Sequence, residues 1–210
     1  MTTVDRREAL KVMATTAAAG LAGFREDDLL AAREVAVRAS AARRAGAQAY
    51  APQFFTDEEW KTVRVLVDDI IPRDERSGSA TDAGVPEYID FLLFDQTPAG
   101  DRQAPSSAQV GIRGGLRWLD GESRSRNDGK AYADCTAAQR HAILDDIAWP
   151  ERARPEFSHG VAFFTRMRDL TGSGFFSSKM GVEDLRYTGN TVVPRWTGCP
   201  EPVLRKLGIS

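Results

Sequence analysis

The sequence predicts an all-α chain, a single irregular helical domain that ends in a loop region rich in glycine and aromatic residues. Three observations carry that expectation. Two capping boxes, Thr56-Asp57-Glu58-Glu59 and Thr136-Ala137-Ala138-Gln139, each put a hydroxyl at an N-cap with a Glu or Gln three residues later. Apolar residues recur at helical spacing behind each box. Few runs alternate apolar with polar at period two, so strands find little support.

Taken in order, residues 1–23 read as a twin-arginine (Tat) export signal. Arg6-Arg7 forms a basic start, and a weakly apolar stretch from Val12 to Gly23 follows, too short to span a bilayer. Asp5 stands where Ser or Thr is usual, and Ala9 where Phe is commonest. Ala17-Ala18-Ala19 is a small-residue site close to the apolar stretch; Ala47-Gln48-Ala49 is a better one but lies too far downstream for an ordinary signal. Residues 24–52 are charged and Ala-rich, with a stop at Pro52, and read as a mobile helix or linker. The folded domain is expected over residues 53–210.

Within that domain, Val63, Leu66, Val67 and Ile70 form one face of the first helix, and Pro72 ends it. Arg73 to Ala83 reads as a loop. Pro86 starts a second helix with Tyr88, Ile89, Leu92 and Leu93 facing inward. A polar linker from Thr97 to Ser106 leads to a shorter amphipathic stretch through Trp118 and Leu119. The second capping box opens a helix bearing Ile143, Leu144 and Ile147, and Pro155 starts another with Val161, Phe163, Phe164, Met167 and Leu170. From Gly172 onward the pattern becomes irregular.

Bulk properties narrow the function. The chain has 210 residues, 42% apolar and 28% charged, with a formal charge of −2. That balance argues against a nucleic-acid partner, which calls for a basic face. No stretch of about 18 apolar residues follows the leader, so no membrane span is expected. Cys135 and Cys199 could form one disulfide in an oxidising compartment, although spacing alone leaves that open.

Catalytic constellations are weak. Glu156-Phe157-Ser158-His159 has the Glu-x-x-His spacing of a carboxylate di-iron bundle, but His141 has Ala138 three residues before it, so the second motif is missing. The acid pairs Asp68-Asp69 and Asp145-Asp146 lie on helices where neighbours point about 100° apart, and they read as solvated faces. Ser77-Gly78-Ser79 lacks the strand–turn–helix setting of a nucleophile elbow. No catalytic, cofactor-binding or metal residue is expected in this chain. The Gly-rich dinucleotide fingerprint, the haem-attachment motif and the iron–sulfur cysteine run are all missing from the sequence. A Tat signal on such a chain suggests an escort for a cofactor-bearing partner. Phe175, Phe176, Tyr187 and Trp196, set among glycines, are the expected partner interface, alongside Arg186 and Arg195.

Two runs of residues carry a family resemblance. The first is Phe55-Thr56-x-x-Glu59, Thr62-Val63-x-x-Leu66-x-Asp68-x-Ile70-Ile71-Pro72-x-Asp74 and Ala83-Gly84-Val85-Pro86-x-x-Ile89-Asp90. The second is Gly174-Phe175-Phe176-Ser177-Ser178-x-x-Gly181, Asp184-Leu185-x-Tyr187-x-Gly189-Asn190 and Pro194-x-Trp196-x-Gly198-Cys199-Pro200. Together, across roughly residues 54 to 208, they resemble the gluconate 2-dehydrogenase subunit 3 family. Arg186 stands where that family often has Gly.

The resemblance implies a non-catalytic small subunit of a periplasmic sugar dehydrogenase complex. Its large partner would be an FAD-dependent flavoprotein of the glucose–methanol–choline type, with haem c on a c-type cytochrome where one takes the electrons onward. In such complexes the small subunit commonly bears the Tat signal for both chains. The alternative is a stand-alone Tat-exported helical enzyme or binding protein without a flavoprotein.

Overall fold

The computed structural model describes residues 24–46, 50–95, 106–186 and 198–208, and every regular element among them is helical. The α-helices are α1 (Glu26–Arg44), α2 (Asp57–Ile70), α3 (Ala80–Ala83), α4 (Val85–Asp95), α5 (Ser107–Arg126), α6 (Ala137–Ile147), α7 (Ser158–Ser177), α8 (Lys179–Asp184) and α9 (Glu201–Leu207). Short 3₁₀ turns lie at Tyr132–Asp134 and Pro155–Phe157. Helix α7 is central, packing on α2, α3, α4, α5, α6 and α8.

The start and stop signals act as the local chemistry requires. Thr56 and Thr136 accept from the amides of Glu59 and Gln139, and those side chains accept in return from the cap amides. Helix α2 stops at Ile70, two residues before Pro72. Pro86 is the second residue of α4, and Pro155 opens the turn that feeds α7. Of the predicted inward residues, Val63, Leu66, Val67, Tyr88, Ile89, Leu92, Leu93, Ile143, Leu144, Ile147, Phe163, Phe164, Met167 and Leu170 are buried, while Ile70 and Val161 are partly buried against the core.

Four segments differ from the sequence expectation. Of the two readings given to residues 24–52, a mobile helix or a linker, residues 26–44 take the helix, α1, and it is packed: Ala32, Ala36 and Ser40 are buried against the domain. Its inner face is built from Ala and Ser, so no stripe of large apolar residues marks it. Close approach replaces bulk: Gly84 sits at φ +85°, and a Cβ there would lie 2.6 Å from the Ala36 carbonyl oxygen. Arg43 then bonds the Thr81 carbonyl oxygen at 2.6 Å and pairs with the buried Glu87.

The other three differences are helices where a loop or a shorter stretch was expected. The Arg73–Ala83 loop contains α3, capped reciprocally by Ser79 and Asp82. The stretch through Trp118 is the 20-residue α5, capped by Ser106 and Gln109. Helix α7 continues through Gly172 and Gly174 to Ser177, and Ser178 then caps α8. Both glycines are tolerated because α7 is held by neighbours on several sides; at Gly174 a Cβ would come 2.9 Å from the Tyr88 ring.

Two buried carboxylates lock the helices together. Asp90 on α4 is fully buried. Its Oδ1 accepts from the amides of Phe54 and Phe55 at 3.0 Å, and its Oδ2 accepts from the Gln53 amide and the Tyr50 hydroxyl at 2.8 Å. Asp69 on α2 has a side chain only 7% exposed. Arg140 of α6 grips it bidentately, Nε to Oδ2 at 2.7 Å and Nη2 to Oδ1 at 3.0 Å, while the Tyr132 hydroxyl donates to Oδ2 at 2.8 Å. Burial first, and then the adjacent carboxylate, push the phenols of Tyr50 and Tyr132 far above their ordinary range.

Arg186 follows α8 with φ +52°, in the left-handed region. A Cβ is strained there, by roughly 1 kcal/mol or more, whereas glycine is not.

Asp90→Asn is expected to cost about 2–4 kcal/mol, because one carboxylate oxygen becomes an NH₂ facing amide donors. Urea unfolding at neutral pH measures this, and a loss below about 1 kcal/mol would refute the role given to Asp90. Alkaline stability supplies a second check. A phenol whose folded pKa is raised keeps its proton while the unfolded chain loses it, so its contribution is complete below about pH 10 and falls away above it. The urea midpoint should drop above about pH 10. Tyr132→Phe should lower the midpoint at neutral pH yet flatten that alkaline decline.

Candidate functional site

The titratable groups singled out by the sequence mostly serve the fold. Asp68 and Asp69 are not a solvated face: Asp68 Oδ1 accepts from the Thr81 amide at 2.7 Å, and Asp69 anchors Arg140 and Tyr132. Asp145 is exposed, whereas Asp146 pairs with Arg126 at 2.7 Å. Ser79 caps α3, and the Ser77 amide closes a turn on Asp74 at 2.8 Å. The amides of Ser77 and Arg76 hold the exposed Asp74 carboxyl below its usual range. Glu156 pairs with Arg154 at 3.2 Å, and His141 Nε2 lies 3.6 Å from Asp69 Oδ1. Among the described residues, no three His, Cys, Asp or Glu side chains gather as a metal site would require.

The expected aromatic interface divides. Phe175 is not an interface residue but part of the core, 1% exposed, because α7 continues past Gly174 and turns this side chain inward. Phe176, next along the helix, points away at 43% exposure and meets the Phe175 ring edge-on at 5.2 Å. Leu185 adds a second exposed apolar side chain at the end of α8. Tyr187, Trp196 and Arg195 lie outside the described residues, as do Arg6 and Arg7. The disulfide left open by the sequence is not formed. Cys135 is buried with its Sγ 3.1 Å from the Ser123 hydroxyl, Cys199 is exposed, and both are free thiols.

A groove lies between α5 and α7, not marked in advance. Two interlocks close its base: Phe163 of α7 packs on Gly115, and Trp118 of α5 packs on Gly160 so closely that a Cβ would lie 2.5 Å from the indole. The groove above holds about 500 Å³. Val110, Gly111, Gly114 and Trp118 line one side, with His159, Ala162 and Arg166 opposite. Arg166 is half-buried, its Nε is sealed from solvent, and that atom has no hydrogen-bond partner among the described residues. Its guanidinium lies 6.0 Å from the Phe24 ring, and burial lowers its pKa. The signal was present in the sequence as Gly111, Gly114 and Gly115 inside a helical pattern, which marks close approach of another group.

The arrangement suits holding another protein: a half-open apolar groove, one unpaired cation, and separate exposed aromatics. Comparison with known proteins is consistent with this character. No curated protein matches the chain, and no solved structure does. Residues 57–194, from the first residue of α2 to beyond α8, match the family described as Gluconate 2-dehydrogenase subunit 3. That stretch covers most of the sequence and the two motif runs from Glu59 to Pro194, so this chain belongs to the gluconate 2-dehydrogenase subunit 3 family, the family of a subunit of a gluconate dehydrogenase complex.

Proposed function

We propose that this chain is the non-catalytic small subunit of a periplasmic FAD-dependent dehydrogenase, steadying the flavoprotein subunit and carrying it through Tat export. Family membership across residues 57–194 is the observation that carries the reading. The flavoprotein would be of the glucose–methanol–choline type and would oxidise a sugar, sugar acid or glycoside. FAD belongs to that partner, and haem c to a cytochrome subunit that accepts its electrons.

Two features support the division of labour. Two buried acids, Asp69 and Asp90, are bonded at both carboxylate oxygens by partners within the fold. Such groups stabilise a scaffold and have no spare capacity for proton transfer to a substrate. The Arg6-Arg7 pair gives the export role its chemical handle, because Tat recognition depends on both arginines.

Replacing Arg6 and Arg7 together by Lys should leave both this chain and its flavoprotein in the cytoplasm. Fractionation of cells followed by dehydrogenase assay of the periplasm reads the outcome; wild-type periplasmic activity in the double variant would end the export role. Purification of the full chain from its own cells should bring down a yellow flavoprotein. A chain that is pure, active and partner-free would favour the stand-alone alternative. Truncating Tyr187 or Trp196 to Ala should cost at least one of the two variants about 2 kcal/mol of binding to that flavoprotein. Affinity unchanged in both, with only the melting temperature lowered, would assign these side chains to the chain's own core.

A further inference from the structure

We infer that the α5–α7 groove receives a segment of the flavoprotein subunit that carries a carboxylate, placed to pair with Arg166, beside an apolar side chain that lies over Gly111 and Gly114. The inference rests on the subunit reading above and adds a location and a chemistry to it.

Charge is the first argument. The groove lining includes Arg166 and His159 and no acidic side chain. Arg166 is drawn partly out of water, its buried Nε makes no hydrogen bond, and its guanidinium lies 6.0 Å from the Phe24 ring. A guanidinium in that state has lost hydration without gaining an anion, which is unfavourable. A carboxylate arriving from outside would restore the balance, and the planar fork of Arg suits a two-oxygen partner.

The glycines of α5 are the second argument. Glycine weakens a helix interior relative to Ala, so each one calls for a compensating contact. Gly115 has one inside this chain, since any Cβ would collide with Phe163. Gly111 and Gly114 have none: a Cβ at either would meet nothing within 4 Å. Gly121, farther along the helix, is open in the same way. Val110 is 56% exposed at the groove's edge, and Trp118 offers a half-buried indole at its base. The exposed helix backbone at Gly111 and Gly114 thus admits a side chain or main chain of another protein to closer range than an alanine surface would allow.

The occupant is a flavoprotein segment rather than a nucleic acid or lipid headgroup because the lining pairs a single cation with an apolar wall. A phosphate-rich ligand would call for several cations.

The experiment uses the full chain co-expressed with its flavoprotein and measures Kd by titration of the separated subunits. Gly114→Leu projects a side chain into the groove from a position where a Cβ meets nothing within 4 Å, so its melting temperature should equal or exceed that of wild type while Kd rises at least tenfold. Arg166→Glu should raise Kd at least tenfold, whereas Arg166→Lys should recover part of the loss. Kd values within twofold of wild type for folded Gly114→Leu and Arg166→Glu would overturn the inference and leave the subunit reading intact. Failure of the wild-type chain to bind any flavoprotein would remove the reading itself. A wild-type homodimer that Gly114→Leu dissociates would assign the groove to a second copy, and a fall in melting temperature with unchanged Kd would assign it to the chain's own N-terminal residues; either result overturns the inference.

Discussion

The carboxylate of Asp90 is the point on which the architecture turns. A fully buried acid would cost several kcal/mol if left without partners, and here three backbone amides and a phenol converge on it. Those donors belong to residues 50–55, the segment that leads into α2, while Asp90 sits on α4. One side chain therefore sets the angle at which α2 enters the core. Helix α4 in turn presents Gly84, just before its first turn, to α1 and Tyr88 to α7. If the carboxylate were displaced, three helices would lose their common reference.

Asp69 plays the equivalent part at the other end of α2. It joins α2 to the Tyr132 turn and to α6 through charge-assisted bonds that are largely shielded from solvent. The two acids act at the two ends of α2, and both are satisfied by fixed geometry. Directed polar bonds of this kind specify one arrangement of short helices, where apolar burial alone would accept several. This is how a chain with four-residue and six-residue helices keeps a single fold.

The surface features follow from how α5 and α7 approach. Their glycines interlock with Phe163 and Trp118 at the base, which draws the two helices close. The next turns of α5 carry Gly111 and Gly114 with no opposing aromatic, so the gap widens into the groove. An interlock and a cavity thus arise from one repeated residue type. The difference is only whether the facing helix supplies a ring.

Much of the fold could be read before any coordinates, because caps, prolines and helical spacing are local. Thr56, Pro72, Pro86, Thr136 and Pro155 each act within a few residues of where they stand, and each punctuates the chain as expected. Family membership was legible for a related reason: its motifs record many local constraints in a fixed order. Four matters were decided only by tertiary structure. The helix at residues 26–44 belongs to the core because Ala36 meets Gly84, a contact between residues 48 positions apart that has no local trace. Phe175 turned inward and Phe176 outward because α7 is supported by neighbours across two glycines that would end an isolated helix. Asp69 became a buried anchor because Arg140 and Tyr132 arrive from far along the chain. The groove and its unpaired Arg166 exist only where two helices fail to fill the space between them. The sequence by itself determined where helices begin and end, since hydrogen bonds at a helix terminus are closed by adjacent residues; which faces are buried was determined by long-range packing, since burial depends on what the rest of the chain brings alongside.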